Sequence, residues 1–152
     1  RFGAYLRRLS ESQFQKLASI DGQSSLAIAA FARERGRERM IGVGRYIVLP
    51  GTGFAEAAFA VLDGYQGLGI GTFLTDYLSW IAKELGLEGF KTEVIRFCPK
   101  MRRVLARSYR RIEQKDLGDG EVLVTVRFTD WKGEGNPALE RSRGRAIPGC
   151  PV

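Results

Sequence analysis

The apolar positions of this chain fall into blocks whose period switches between that of a strand and that of a helix. Phe54 to Leu62 is an apolar run interrupted by Glu56, with the length and residues of a buried strand. From Phe73 to Leu85 the apolar residues Phe73, Leu74, Tyr77, Leu78, Ile81, Ala82 and Leu85 recur at helical spacing. Phe90 to Ile95 predicts another strand. A helix opening at Cys98-Pro99 follows, apolar at Met101, Val104 and Leu105 and strongly basic elsewhere, with Pro99 suited to its first turn. Glu113 to Asp116 and Val122 to Phe128, joined by Leu117-Gly118-Asp119-Gly120, predict a closing hairpin.

Upstream, Ser25 to Ala32 and Met40 to Leu49 predict an antiparallel hairpin around the charged stretch Arg33 to Arg39, whose Arg-Glu alternation reads as a solvated turn. Ser10 and Gln13 can form a capping box, with Leu9 packed on Phe14, which predicts a helix running to about Ile20. After Phe128 the composition shifts to Gly, Pro, Arg and Ser. The expected division is therefore a domain over residues 1–128 and a basic tail over residues 129–152, mobile or laid over the domain surface.

A chain of 152 residues is long enough to bury one proper core. It has no apolar run near twenty residues and two cysteines, Cys98 and Cys150, which predicts a cytoplasmic protein with no membrane contact. Its start at Arg1 is compatible with a longer parent protein. The absence of histidine excludes His-based triads and the usual mixed zinc sites, and no metal is expected. A net charge of +7 points to an anionic partner, with one basic cluster at Arg96, Lys100, Arg102, Arg103, Arg107, Arg110 and Arg111. Base-stacking aromatics are not interleaved with these charges, which argues against nucleic acid.

Between the strand at Phe54 and the helix at Phe73 lies Asp63-Gly64-Tyr65-Gln66-Gly67-Leu68-Gly69-Ile70-Gly71-Thr72. Glycines at a strand-to-helix turn let a ligand approach free amide groups and the positive end of the helix dipole. A phosphate or pyrophosphate is the natural guest. No Lys-Ser or Lys-Thr closes the loop, so it is not the nucleoside-triphosphate type.

This stretch resembles the acyl-CoA loop of the GNAT N-acetyltransferase superfamily, Q/R-x-x-G-x-G/A, here Gln66, Gly67, Leu68, Gly69, Ile70 and Gly71. The element order over roughly Leu26 to Phe128 is also similar. The resemblance implies an α+β fold of the GNAT type: a mixed, mostly antiparallel central sheet with helices on both faces. It implies acetyl-CoA as acyl donor, its pyrophosphate on the amides of Gly67 to Thr72 and its pantetheine along Phe59, Ala60 and Val61. The basic helix would lie beside the 3′-phosphate.

A carboxylate in an apolar strand needs a partner, water or a raised pKa, so Glu56 is either a solvated strand residue or a general base in a cleft. The resemblance implies the second reading, with Glu93 on the next strand as the competing base. In the family the second helix often begins after Asn and carries a Tyr that protonates the leaving thiolate. Here Cys98 and Leu105 stand at those places, so no general acid carries over.

The run Ala55 to Val61 with Tyr65 to Thr72 looks like the bacterial protein-lysine acetyltransferase branch, which implies a protein acceptor such as an acyl-CoA synthetase. Gly22-Gln23-Ser24-Ser25 departs from the acidic residues usual there. The alternatives are a small-amine acetyltransferase and a non-catalytic acyl-CoA-binding regulatory module.

Overall fold

The computed structural model describes residues 24–95, 98–135 and 137. The helix expected from Ser10 to Ile20, and most of the expected tail, lie outside the described residues. Six strands form one mixed sheet in the order β1-β2-β3-β4-β6-β5. They are β1 (Ser25–Glu34), β2 (Arg37–Val48), β3 (Phe54–Val61), β4 (Gly89–Ile95), β5 (Glu113–Gly118) and β6 (Glu121–Arg127). Helix α1 (Ile70–Glu84) joins β3 to β4, and α2 (Pro99–Ser108) joins β4 to β5. Every neighbouring pair is antiparallel except β3 and β4.

The charged stretch between β1 and β2 is not a broad turn. Both strands run through it, and only Arg35 and Gly36 turn, at φ +48° and +78°. Two residues with positive φ make a tight loop whose twist matches that of the flanking strands. The alternation then sets Arg33 opposite Glu38 and Glu34 opposite Arg37, so opposite charges face each other across the ladder, and Arg39 reaches Glu34 at 3.4 Å. The β5–β6 hairpin closes the same way at Asp119 and Gly120, with φ of +52° and +79°, so Leu117 and Gly118 belong to β5.

Both described helices cover one face of the sheet. Tyr46, Ala55, Ala57, Phe90, Val124 and Val126 share that face by register, and pack with Leu78 and Ala82 of α1 and Leu105 of α2. Gly42 and Gly44 of β2 permit the close approach of α1. A Cβ on Gly42 would stand 3.1 Å from Ile70, and one on Gly44 3.1 Å from Leu78. Leu74 and Leu78 are thereby buried, each contributing about 1.5–3 kcal/mol. On its flank α1 offers the small residues Gly71, Thr75 and Ser79. The Thr75 hydroxyl donates to Gly71 C=O and the Ser79 hydroxyl to Thr75 C=O, so both are satisfied where α2 packs.

The chain stays packed just past Phe128. Trp131 is buried, its Nε1–H donates to Asp76 Oδ1 at 3.0 Å, and it bridges to Tyr109. Residues 129–132, assigned from composition to the tail, are thus held against α1 and the end of α2.

Candidate functional site

The parallel contact between β3 and β4 is brief: Phe54 pairs with Gly89 and Ala55 with Phe90, and the strands then separate. One step further, the Thr92 hydroxyl donates to Ala57 C=O at 2.8 Å, a side chain standing where the next ladder bond would be. The main-chain groups of Phe54 and Leu62 turn towards β2, since Leu49 N–H donates to Phe54 C=O and Leu62 N–H to Ile41 C=O. Alternation therefore turns Ala57, Phe59 and Val61 towards β4. Ala57 C=O is taken by Thr92 and Val61 C=O by Gln66 Nε2, at 3.0 Å. That leaves Phe59 N–H, Phe59 C=O and Val61 N–H facing the gap, where among the described residues no strand is paired with them.

The gap opens onto the glycine loop. A 3-10 turn, Asp63–Tyr65, leads through Gly67 and Gly69, at φ +80° and +85°, into α1. Such φ values are costly for any side chain and ordinary for glycine. Gly69 is the N-cap of α1, and the first intrahelical bond runs from Phe73 N–H to Gly69 C=O. The amides of Ile70, Gly71 and Thr72 thus have no intrahelical acceptor and sit at the positive end of the helix dipole. A Cβ at Gly67 or Gly69 would meet nothing within 4 Å, so the space over the loop is open to a ligand. Gly71 differs: a methyl there meets Val104 at 3.5 Å, ordinary contact, which accounts for a motif that accepts Gly or Ala at this place.

Gln66 fixes the loop. Its Nε2 donates to Val61 C=O and, at 2.8 Å, to Asp63 Oδ1, while Lys100 Nζ donates to Gln66 Oε1 at 2.7 Å. Lys100 lies in the first turn of α2, so one member of the basic helix reaches the glycine loop. On the other flank Tyr65 donates its hydroxyl proton to Glu34 at the tip of the β1–β2 hairpin.

Glu56 sits on the face opposite both helices, with Ala58 and Ala60, and is exposed rather than enclosed. Glu93 is also exposed. Continuing the register from Ala55 and Phe90 sets Glu56 level with Lys91 and Ala58 with Glu93, so the two carboxylates share that face. Arg45, paired with Ala58 on the adjacent strand, also projects there. Partial burial holds the Arg45 guanidinium below its usual pKa, an effect that the charge of Glu56 opposes. Arg45 is the neighbour of Glu56 that sequence reasoning missed. The two-residue alternation of β2 would have put it on this face had the hairpin register been known.

Tyr109 packs and does not reach the gap. It is buried, and its hydroxyl lies 2.5 Å from Ser79 Oγ on the far side of α1. Burial pushes its phenol well above the ordinary tyrosine range. An unfolded tyrosine ionises near 10, whereas the folded one keeps its proton, so this group stabilises the fold below pH 10 and that stability falls as pH rises further. Urea unfolding of Tyr109→Phe is expected to show about 1 kcal/mol less stability at pH 7 and a shallower decline above pH 10. An unchanged alkaline slope would remove Tyr109 as its source.

A sheet split beside a glycine loop at a helix N-terminus has the geometry to take an extended, phosphate-bearing chain along a strand edge. The Acetyltransferase (GNAT) family model matches residues 3–105, and the chain belongs to this family of acyl-CoA-dependent N-acyltransferases. It is 34% identical over 86 residues to Acetyltransferase PA5475 of Pseudomonas aeruginosa, covering 57% of this chain and 46% of that protein. The chain thus spans less than half the length of that relative.

Among solved structures, the GNAT domain of S. lividans PAT superposes with a TM-score of 0.63 at 26% identity, over 79% of this chain and 70% of that one. The cAMP-binding acyltransferase from Mycobacterium smegmatis gives 0.62 at 24% identity, over 90% and 42%, which is a likeness of fold.

Proposed function

We propose that this chain moves an acetyl group from acetyl-CoA to the primary amine of a protein lysine, by direct attack with Glu56 as general base. The reading rests on one observation: the unpaired main chain of Phe59 and Val61 lies between an anion-binding helix terminus and a face carrying two exposed carboxylates. The amides of residues 67 to 72 suit the pyrophosphate, and Gln66 and Lys100 hold that loop. Phe59, Ala60 and Val61 offer pantetheine a strand edge, and Phe59 N–H or Val61 N–H can stabilise negative charge growing on the thioester oxygen.

A lysine ammonium, with a pKa of about 10.4, must lose a proton before it attacks. Glu56 accepts it directly or through water, with the Arg45 guanidinium on the same face of the sheet. Glu93, on the same face, is the second candidate base. Tyr109 being buried elsewhere, the CoA thiolate leaves with a proton from water. Its pKa is near that of an ordinary thiol, about 8.5. An open, exposed face suits the side chain of a macromolecule better than an enclosed small amine, and the likeness to the S. lividans domain agrees with this choice.

The test is acetyl transfer to lysine peptides by the chain, by Glu56→Gln and by Glu93→Gln. We expect Glu56→Gln to lower kcat by about 10²–10⁴ with the KM for acetyl-CoA nearly unchanged. Loss confined to Glu93→Gln would move the base to Glu93. Transfer to small amines but no peptide would change the acceptor class. Acetyl-CoA binding without transfer to any amine would make the chain a non-catalytic binding module.

A further inference from the structure

The basic helix serves two places, not one. Lys100 and Val104 lie on the side of α2 that meets the glycine loop and Gly71. At 100° per residue Arg102 projects from the opposite side, and Arg103 from the flank between the two. With Arg110 and Lys132 they line a separate hollow of about 510 Å³ near the C-terminal end of α2, with Gln114 of β5 on its wall. Among the described residues, none of the side chains lining this hollow is acidic.

The hollow is held in shape by its backbone. Arg110 N–H donates to Asp130 C=O at 2.8 Å, and Lys132 N–H to Ser108 C=O at 2.9 Å. These bonds flank the bridge between Tyr109 and Trp131, both buried. Lys132 Nζ also donates to Ala106 C=O at 2.6 Å, which places its charge at the helix C-terminus. The two segments carrying Arg110 and Lys132 are therefore fixed relative to α2. Among the described residues, neither Arg103 nor Arg110 has a carboxylate partner.

Four cations converging on a space of small-ligand size call for a compact anion of several charges. The guanidinium forks of Arg103 and Arg110 match phosphate oxygens in pairs, and a chain of phosphates supplies more charge per volume than a dicarboxylate. We propose that this hollow binds a small polyphosphate-bearing anion at a site distinct from the glycine loop. Among the described residues no exposed aromatic lines it for base stacking, so the phosphates rather than a base carry recognition.

Calorimetric titration with inorganic tripolyphosphate tests this on the full chain, on Gly69→Glu, and on the double variant Arg103→Glu/Arg110→Glu. The expected result is binding by the first two and a loss of about a hundredfold in the third, about tenfold per charge-assisted bond. The third should keep its thermal unfolding midpoint and its affinity for acetyl-CoA. Equal tripolyphosphate binding by the double variant, or none by the parent chain, would overturn the proposal. Loss of tripolyphosphate in Gly69→Glu, or loss of acetyl-CoA in the double variant, would overturn it by merging the hollow with the acyl-CoA site. A ten-nucleotide single strand or a polyglutamate peptide that binds the hollow more tightly than tripolyphosphate would overturn it in favour of a macromolecule.

Discussion

Replacing Gly89 with alanine is expected to leave little folded protein. A Cβ at this position would lie 2.1 Å from Val126 C=O, 2.9 Å from Phe54 Cε1 and 3.1 Å from Arg127 Cα. Two of these atoms are backbone, so no rotamer change relieves the clash. Gly89 also begins the short parallel contact with Phe54. Relief by moving β4 would therefore break the junction between the two halves of the sheet. Overpacking typically costs about 1–3 kcal/mol, and here it should exceed that range, out of a total stability of about 5–15 kcal/mol. Urea unfolding measures it. Gly64→Ala is the control, since its Cβ meets nothing within 4 Å and its φ is not positive. A midpoint for Gly89→Ala equal to that of the control would show that the sheet tolerates the methyl.

Acetyl-CoA binding should disappear in Gly69→Glu. Gly69 stands at φ +85° at the N-cap of α1, with open space where a side chain would go. Any side chain there strains the backbone by roughly 1–2 kcal/mol, a cost that Gly69→Ala shares. Glutamate adds a negative charge where the pyrophosphate is expected to sit. The two variants thus separate strain from electrostatic exclusion. The alanine chain should bind more weakly and the glutamate chain not at all, with similar unfolding midpoints. Equal affinities for the two would mean that the pyrophosphate does not rest on this turn.

The glycine loop was legible because Gln66, Gly67, Gly69 and Gly71 stand close together between two blocks of unmistakable period. The faces of β3 were legible too, since alternation alone put Glu56 with Ala58 and Ala60. What escaped was set by pairing across the sheet. Arg45 meets Glu56 only through the β2–β3 register, and the charged hairpin is a ladder only because Arg33 and Glu34 find Glu38 and Arg37 opposite. Trp131 was read by the composition around it, Gly, Pro and Ser, but one indole fills a gap between Asp76, Lys83 and Tyr109. Local pattern marks elements; it does not say which side chains meet across them.

The separation of β3 from β4 has a consequence for the protein on its own. An unpaired row of amide and carbonyl groups is normally found at the margin of a sheet, where it invites a foreign strand. Here it lies in the middle, beside the third of six strands, and Thr92 stops the seam from zipping shut. Among the described residues the fold thus carries an interior margin with no paired strand. Amide protons of Phe59 and Val61 should trade with solvent deuterium as quickly as those of a peripheral strand. An extended donor molecule, by occupying that row, would finish the sheet and shield the chain from joining its neighbours.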